Sequence, residues 1–146
     1  MTLDEYRRHF AKPSGGHGMD YTRWHAGWRT IGGKRNYYRS RWEANYARYL
    51  EFLKRGGVIL EWRHEPKTFW FDGIRRGVCS YLPDFEVSYP DGRTAYHEVK
   101  GYFDPRSRTK LKRMAKYHPD VEVRVIARRE YAEIRRKASA LLPGWE

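Results

Sequence analysis

Between residues 42 and 53, Trp42, Tyr46, Tyr49, Leu50 and Leu53 recur at three- and four-residue spacing and form one apolar stripe. Ser40 before the stripe, Glu43 three residues on and Gly56-Gly57 behind Arg55 supply a start and a stop, so a helix is predicted from about 41 to 55. Downstream the period shortens to two. Residues 58–62 and 67–71 read as strands on either side of His64-Glu65-Pro66. Residues 81–89 form a further strand, and another runs to Lys100 after the turn at Pro90-Asp91-Gly92. Asp104 followed by Pro105 is a cap and first turn, opening a second helix that reaches Tyr117 before Pro119. Its thin apolar face is Leu111, Met114 and Ala115. Residues 121–126 alternate cleanly, and a strand reached through a helix is expected to lie parallel to its neighbour. A last helix over about 129–142 turns Tyr131, Ile134 and Leu141 inward. The order predicts an α/β fold, α-β-β-β-α-β-α, with a mixed central sheet flanked by helices.

The turn fixes a register. Tyr89-Pro90-Asp91-Gly92-Arg93 is an x-Pro-Asp-Gly-x sequence, in which Pro presets φ and Gly accepts a left-handed position. A three-residue loop of this kind is a type I turn closed by a glycine bulge. It pairs Tyr89 with Arg93, Val87 with Ala95, Phe85 with His97 and Asp84 with Glu98; a two-residue loop would pair Asp84 with Val99 instead. In the three-residue register both carboxylates share one face with Lys100, while Val99, Phe85 and Val87 point to the other. Like charges directly opposite destabilise a sheet. A cation such as Mg²⁺, which takes oxygen ligands, removes that penalty. Glu-x-Lys on a strand is common surface chemistry by itself, and it is the register that marks this one.

Glu43 has two roles open to it. It is the natural capping-box acid for Ser40, and it also lies on the flank of the stripe, one turn from Ala47, facing what the helix packs against. Arg106, Arg108, Lys110, Lys112, Arg113 and Lys116 cover the remainder of the second helix. Such a run is either a solvated surface or a seat for a phosphate backbone, and its place just after Lys100 favours the second.

Composition narrows the partner. Lys and Arg number 30 against 18 Asp and Glu, a net charge of +12, which suits a polyanion. Residues 1–37 are polar, glycine-bearing and aperiodic, and are expected to form an arm; 38–146 would be one domain with one core. The arm mixes Tyr21, Trp24, Trp28, Tyr37 and Tyr38 with Arg23, Arg29, Lys34, Arg35 and Arg39. That mixture suits stacking on bases and neutralising phosphates; a tail or a segment packed on a partner subunit is the alternative. Cys79 is the single cysteine, which excludes an internal disulfide and a Cys/His zinc site. No apolar run is long enough to span a bilayer and no signal-peptide core is present, so a soluble, intracellular protein is expected.

Four blocks in order then resemble the PD-(D/E)XK nuclease superfamily, in particular its phage-type branch related to Holliday junction resolvases. They are Ser40-Arg41-Trp42-Glu43-Ala44-Asn45-Tyr46, Tyr81-Leu82-Pro83-Asp84-Phe85, His97-Glu98-Val99-Lys100-Gly101 and Thr109-Lys110-Leu111-Lys112. The resemblance covers roughly residues 38 to 126. It implies a restriction-endonuclease-like core and Mg²⁺-dependent hydrolysis of DNA phosphodiesters, with Mn²⁺ as a substitute. It also implies a homodimer acting on four-way junctions or other branched DNA, in a host-cell cytoplasm if the source is a phage. Asp84 and Glu98 would bind the metal, with the Val99 carbonyl and Glu43 as further ligands, and Lys100 would serve the attacking water. Lys34, Arg35, Arg39, Arg41, Arg106, Arg108, Lys110 and Lys112 are the expected DNA contacts. A sequence-specific or repair nuclease, and a basic DNA-binding protein without catalysis, are the competing expectations.

Overall fold

The computed structural model describes residues 25–146. Its first element lies inside the stretch expected to be an arm: β1 (Gly27–Ile31) and β2 (Lys34–Tyr38) form an antiparallel hairpin. Ile31 pairs with Lys34 across Gly32-Gly33, both at positive φ (61° and 76°). That is the two-residue loop whose twist matches the strands, and glycine makes it cheap. Ile31 and Tyr38 are buried in the main core, so from Gly27 onward this stretch belongs to the folded domain. The expectation for the remainder of the arm lies outside the described residues.

Helix α1 (Arg41–Arg55) follows, with the Ser40 side chain accepting from the Glu43 N–H at 3.1 Å. Then come β3 (Glu61–His64), β4 (Phe69–Trp70), β5 (Ser80–Tyr81), β6 (Phe85–Ser88), β7 (Thr94–Val99), α2 (Pro105–Tyr117), β8 (Glu122–Ile126) and α3 (Arg128–Ala138). The central sheet has the order β3-β6-β7-β8. Its first two pairings are antiparallel and β7–β8 is parallel, a mixed sheet as expected.

Differences from the sequence expectation are local. The expected 81–89 strand breaks at Leu82-Pro83-Asp84, because Pro83 has no N–H to give a ladder. Tyr81, with Ser80 before it, pairs with β4 in a small separate sheet. Ala115 is exposed, and Tyr117 joins Met114 against the second core cluster. Leu141 is exposed while Leu142 is buried, since α3 tightens into a 3₁₀ turn over Ser139–Leu141 and the phase shifts.

The hairpin register came out as the three-residue loop requires. Phe85 pairs with His97 and Val87 with Ala95, while Tyr89 N–H donates to Arg93 O at 2.8 Å and Gly92 has φ of 88°. One face of the sheet meets α1 and α3 through Trp62, Phe85, Val87 and Ile126. The other carries Asp84, Glu86, Tyr96 and Glu98, with Tyr96 in the cluster of Phe69, Phe71, Tyr81 and Met114. No helix among the described residues is long and apolar enough to cross a membrane.

Candidate active site

Period-two alternation puts Asp84 and Glu98 on the same face. Asp84 lies just ahead of β6, where Pro83 frees it from the ladder, and Glu98 is the penultimate residue of β7. Backbone donors on the opposite strand hold them: the Asp84 N–H donates to Glu98 Oε2 at 3.3 Å, and the Val99 N–H donates to Asp84 Oδ2 at 2.8 Å. Tyr81 Oη donates to Glu98 Oε2 at 2.9 Å. Both acids are buried, with relative exposures of 5% and 7%.

Burial raises the Asp84 pKa well above the usual carboxylate range, and the nearby charges of Glu98 and Glu43 raise it further, against the Val99 N–H and Arg39. Glu98 is also pushed up by burial, with Lys100 pulling the other way. Lys100 Nζ stands 3.7 Å from Glu98 Oε1, half-buried at the rim. Lys110 on α2 also acts favourably on the charged forms of Glu98 and Asp104. Asp104 caps α2 by accepting from the Ser107 N–H at 2.7 Å.

Of the two roles the sequence left open, Glu43 takes the second. Its backbone N–H donates to Ser40 Oγ, as any residue there can, but its carboxylate does not close the capping box on the Ser40 N–H and reaches into the site. Oε1 lies 2.6 Å from His64 Nε2, and Oε2 accepts the Arg39 N–H at 2.8 Å. With His64 and Glu65 it forms a group whose ligand atoms all lie within 4.8 Å of one another, a group that can hold a metal ion. By sequence His64-Glu65-Pro66 is a break between strands, whereas His64 is the last residue of β3. The missing signal was long-range. Only the β3–β6 pairing, His64 against Phe85 and the Glu65 N–H on Asp84 O at 2.8 Å, brings these residues beside the acids.

Arg39, expected as a DNA contact, is instead inside the constellation. One guanidinium nitrogen lies 2.5 Å from Glu65 Oε1 and 3.1 Å from Asp84 Oδ1. A cation fits the Glu43, His64 and Glu65 donor set; of the expected metal ligands only Glu43 belongs to it, while Asp84 and Glu98 lie outside that group and Arg39 stands between Asp84 and Glu65 as a positive group of the protein's own. The Arg39 side chain is 59% exposed, at the outer side of the acids.

The other expected DNA contacts divide. Arg106, Arg108 and Lys112 are exposed on α2, with Lys110 half-buried nearer the acids. Arg41 opens α1 and is half-buried. Arg35 is exposed on β2, whereas Lys34 turns inward, bonding Glu61 at 2.7 Å and lying over the Trp62 ring. No protein-family model and no curated protein matches this chain.

Proposed function

We propose that this protein is a metal-dependent endodeoxyribonuclease of the PD-(D/E)XK type, acting on four-way junctions or other branched DNA. The observation that carries the reading is the buried Asp84–Glu98 pair, two acids side by side whose ionisation the fold disfavours for want of a cation, bordered by Lys100. Carboxylates facing a phosphate oppose binding unless a cation lies between them.

Asp84 and Glu98 would hold the ion, with Glu43, His64 and Glu65 adjoining and the Val99 carbonyl as a further candidate. Mg²⁺ suits the carboxylate pair, and Mn²⁺ tolerates the added imidazole. A bound divalent ion acidifies water and polarises a phosphoryl oxygen. Lys100 has two tasks in this scheme, orienting the attacking water and offsetting charge that develops on the phosphorus oxygens. Tyr81 and the Asp84 N–H fix Glu98, and the Val99 N–H fixes Asp84, so neither acid needs to reorganise. Arg39 must swing away from Asp84 when substrate and ion arrive. Arg106, Arg108, Lys110 and Lys112 would then carry the phosphate backbone, with Arg41 across the site, and a homodimer would present two such sites to a symmetric junction.

The test is to incubate the protein with labelled four-way junction and matched linear duplex, in Mg²⁺ or in chelator, and map the products. Paired symmetric nicks at the junction, lost in chelator, are expected. Tight binding of both substrates with no cut in Mg²⁺ or Mn²⁺ would leave a basic binding protein in place of the enzyme.

A further inference from the structure

Hairpin β1–β2 has two faces of different chemistry. Burial alternates along both strands. Inward, Ile31 and Tyr38 enter the core, Lys34 bonds Glu61 and the Trp62 carbonyl, and Arg29 bonds Glu146 at 2.5 and 2.8 Å. Outward stand Trp28, Thr30, Arg35 and Tyr37, with no acid among them. Trp28 pairs directly with Tyr37, their centroids 5.7 Å apart and their planes at 74°. Both rings stay in water, 60% and 47% exposed. The Arg35 guanidinium lies 4.7 Å from the Trp28 centroid.

We propose that this outer face is a stacking platform for unpaired bases of a DNA strand led into the candidate active site. The inference rests on the DNA-cutting reading and adds how branched DNA is distinguished. Aromatic faces with an adjacent cation bind bases whose own faces are open, whereas bases inside a duplex already stack on one another. The platform is continuous with the site. Tyr37 precedes Tyr38, whose ring lies 4.7 Å from His64, and Arg39 follows on Asp84. Two chain steps, with Tyr38 between, carry Tyr37 to Arg39, about 7 Å of extended chain. A cross-strand aromatic pair also steadies a hairpin, but the inward contacts anchor this one independently.

The test is fluorescence anisotropy with the full chain in chelator, using a labelled single-stranded oligonucleotide and a blunt duplex of equal length. A Trp28→Val, Tyr37→Val double variant keeps β-branched residues on the strands. It is expected to weaken single-strand binding about tenfold or more while shifting duplex binding less than about twofold. A Trp28→Phe, Tyr37→Phe variant should retain most of the single-strand affinity. Equal losses on both ligands, or no loss on the single strand, would overturn the proposal. Tryptophan quenching gives a second reading independent of the valine variant's folding. Wild type should quench more than Trp28→Phe when saturated with the single strand, and equal quenching would also overturn it. Because no cutting occurs in chelator, a platform that works in a chain that never cuts would refute the hydrolytic reading alone.

Discussion

Asp84 and Glu86 lie two residues apart on the same face of the sheet, both buried, yet their surroundings shift them in opposite directions. Glu86 is matched. Arg63 bonds its Oε1 through Nε at 3.0 Å and Tyr96 donates to Oε2 at 2.9 Å. Against the burial that raises it, those bonds hold the Glu86 pKa below its ordinary value. Asp84 faces Glu98 and Glu43, and the cation touching it is shared with Glu65. Burial alone therefore does not mark a site. A buried acid with its own cation is architecture, while a cluster of acids exceeding its cations is a capacity to bind one.

The comparison breaks most sharply on activity. Asp84→Asn is expected to lower cutting by at least about 10²–10³-fold, the scale of losing one contact to transition-state charge, while DNA affinity holds or rises. Glu86→Gln should leave cutting intact and instead lower the unfolding free energy, by on the order of 1 kcal/mol for a weakened charge-assisted hydrogen bond. Single-turnover cleavage and thermal unfolding of both variants check this. Equal loss of cutting in the two would erase the distinction between them.

Lys100→Ala comes next. It should reduce turnover on the order of 10²-fold with unchanged DNA affinity, since the lysine stands at the rim and not in the core. Cutting at the wild-type rate would remove Lys100 from the mechanism and leave the carboxylates to act without it.

Much of this was legible because the signals are local. The α1 stripe, the Asp104-Pro105 start and the Pro90-Asp91-Gly92 loop each depend on a few adjacent residues, and the loop alone was enough to align Asp84 with Glu98. His64, Glu65 and the inner position of Arg39 were not legible, because they depend on which strand lies beside β6. A non-consecutive pairing leaves no trace in β3 itself. Nor did the β1–β2 hairpin stand out. Its alternation is written in Arg, Lys, Asn and Tyr, residues that hydropathy scores as polar, although Arg29 and Lys34 turn inward to find Glu146 and Glu61. Conversely Ala115 and Leu141 fall inward by helical spacing and lie outside.

The smallest expected effect sets the two faces of the sheet against each other through pH. On the α1 face, His97 is sealed between Tyr46 Oη at 2.7 Å and Tyr89 Oη at 3.3 Å. Burial, with Arg124 adding to it, lowers its pKa to about 3. The unfolded chain then binds a proton below about 6.5 that the fold refuses, so His97 costs stability as pH falls from there toward 3. On the opposite face the sign reverses. Asp84 and Glu98 hold protons in the fold at pH values where the unfolded chain has released them, so they cost stability as pH rises above about 4. Each full proton difference gives a slope of about 1.4 kcal/mol per pH unit. Between about pH 4 and 6.5 the two opposing slopes partly cancel in the metal-free protein, and urea midpoints should change little there. Asp84→Asn removes part of the acid-face term and should expose a stability that falls as pH is lowered, whereas His97→Gln should expose one that falls as pH is raised. Saturating Mg²⁺ should flatten the slope of the His97→Gln protein by neutralising the carboxylates and leave that of the Asp84→Asn protein unchanged. If both variants titrate like the wild type, the charges on the two faces are matched by groups other than those named, and Asp84 is no more a binding site than Glu86.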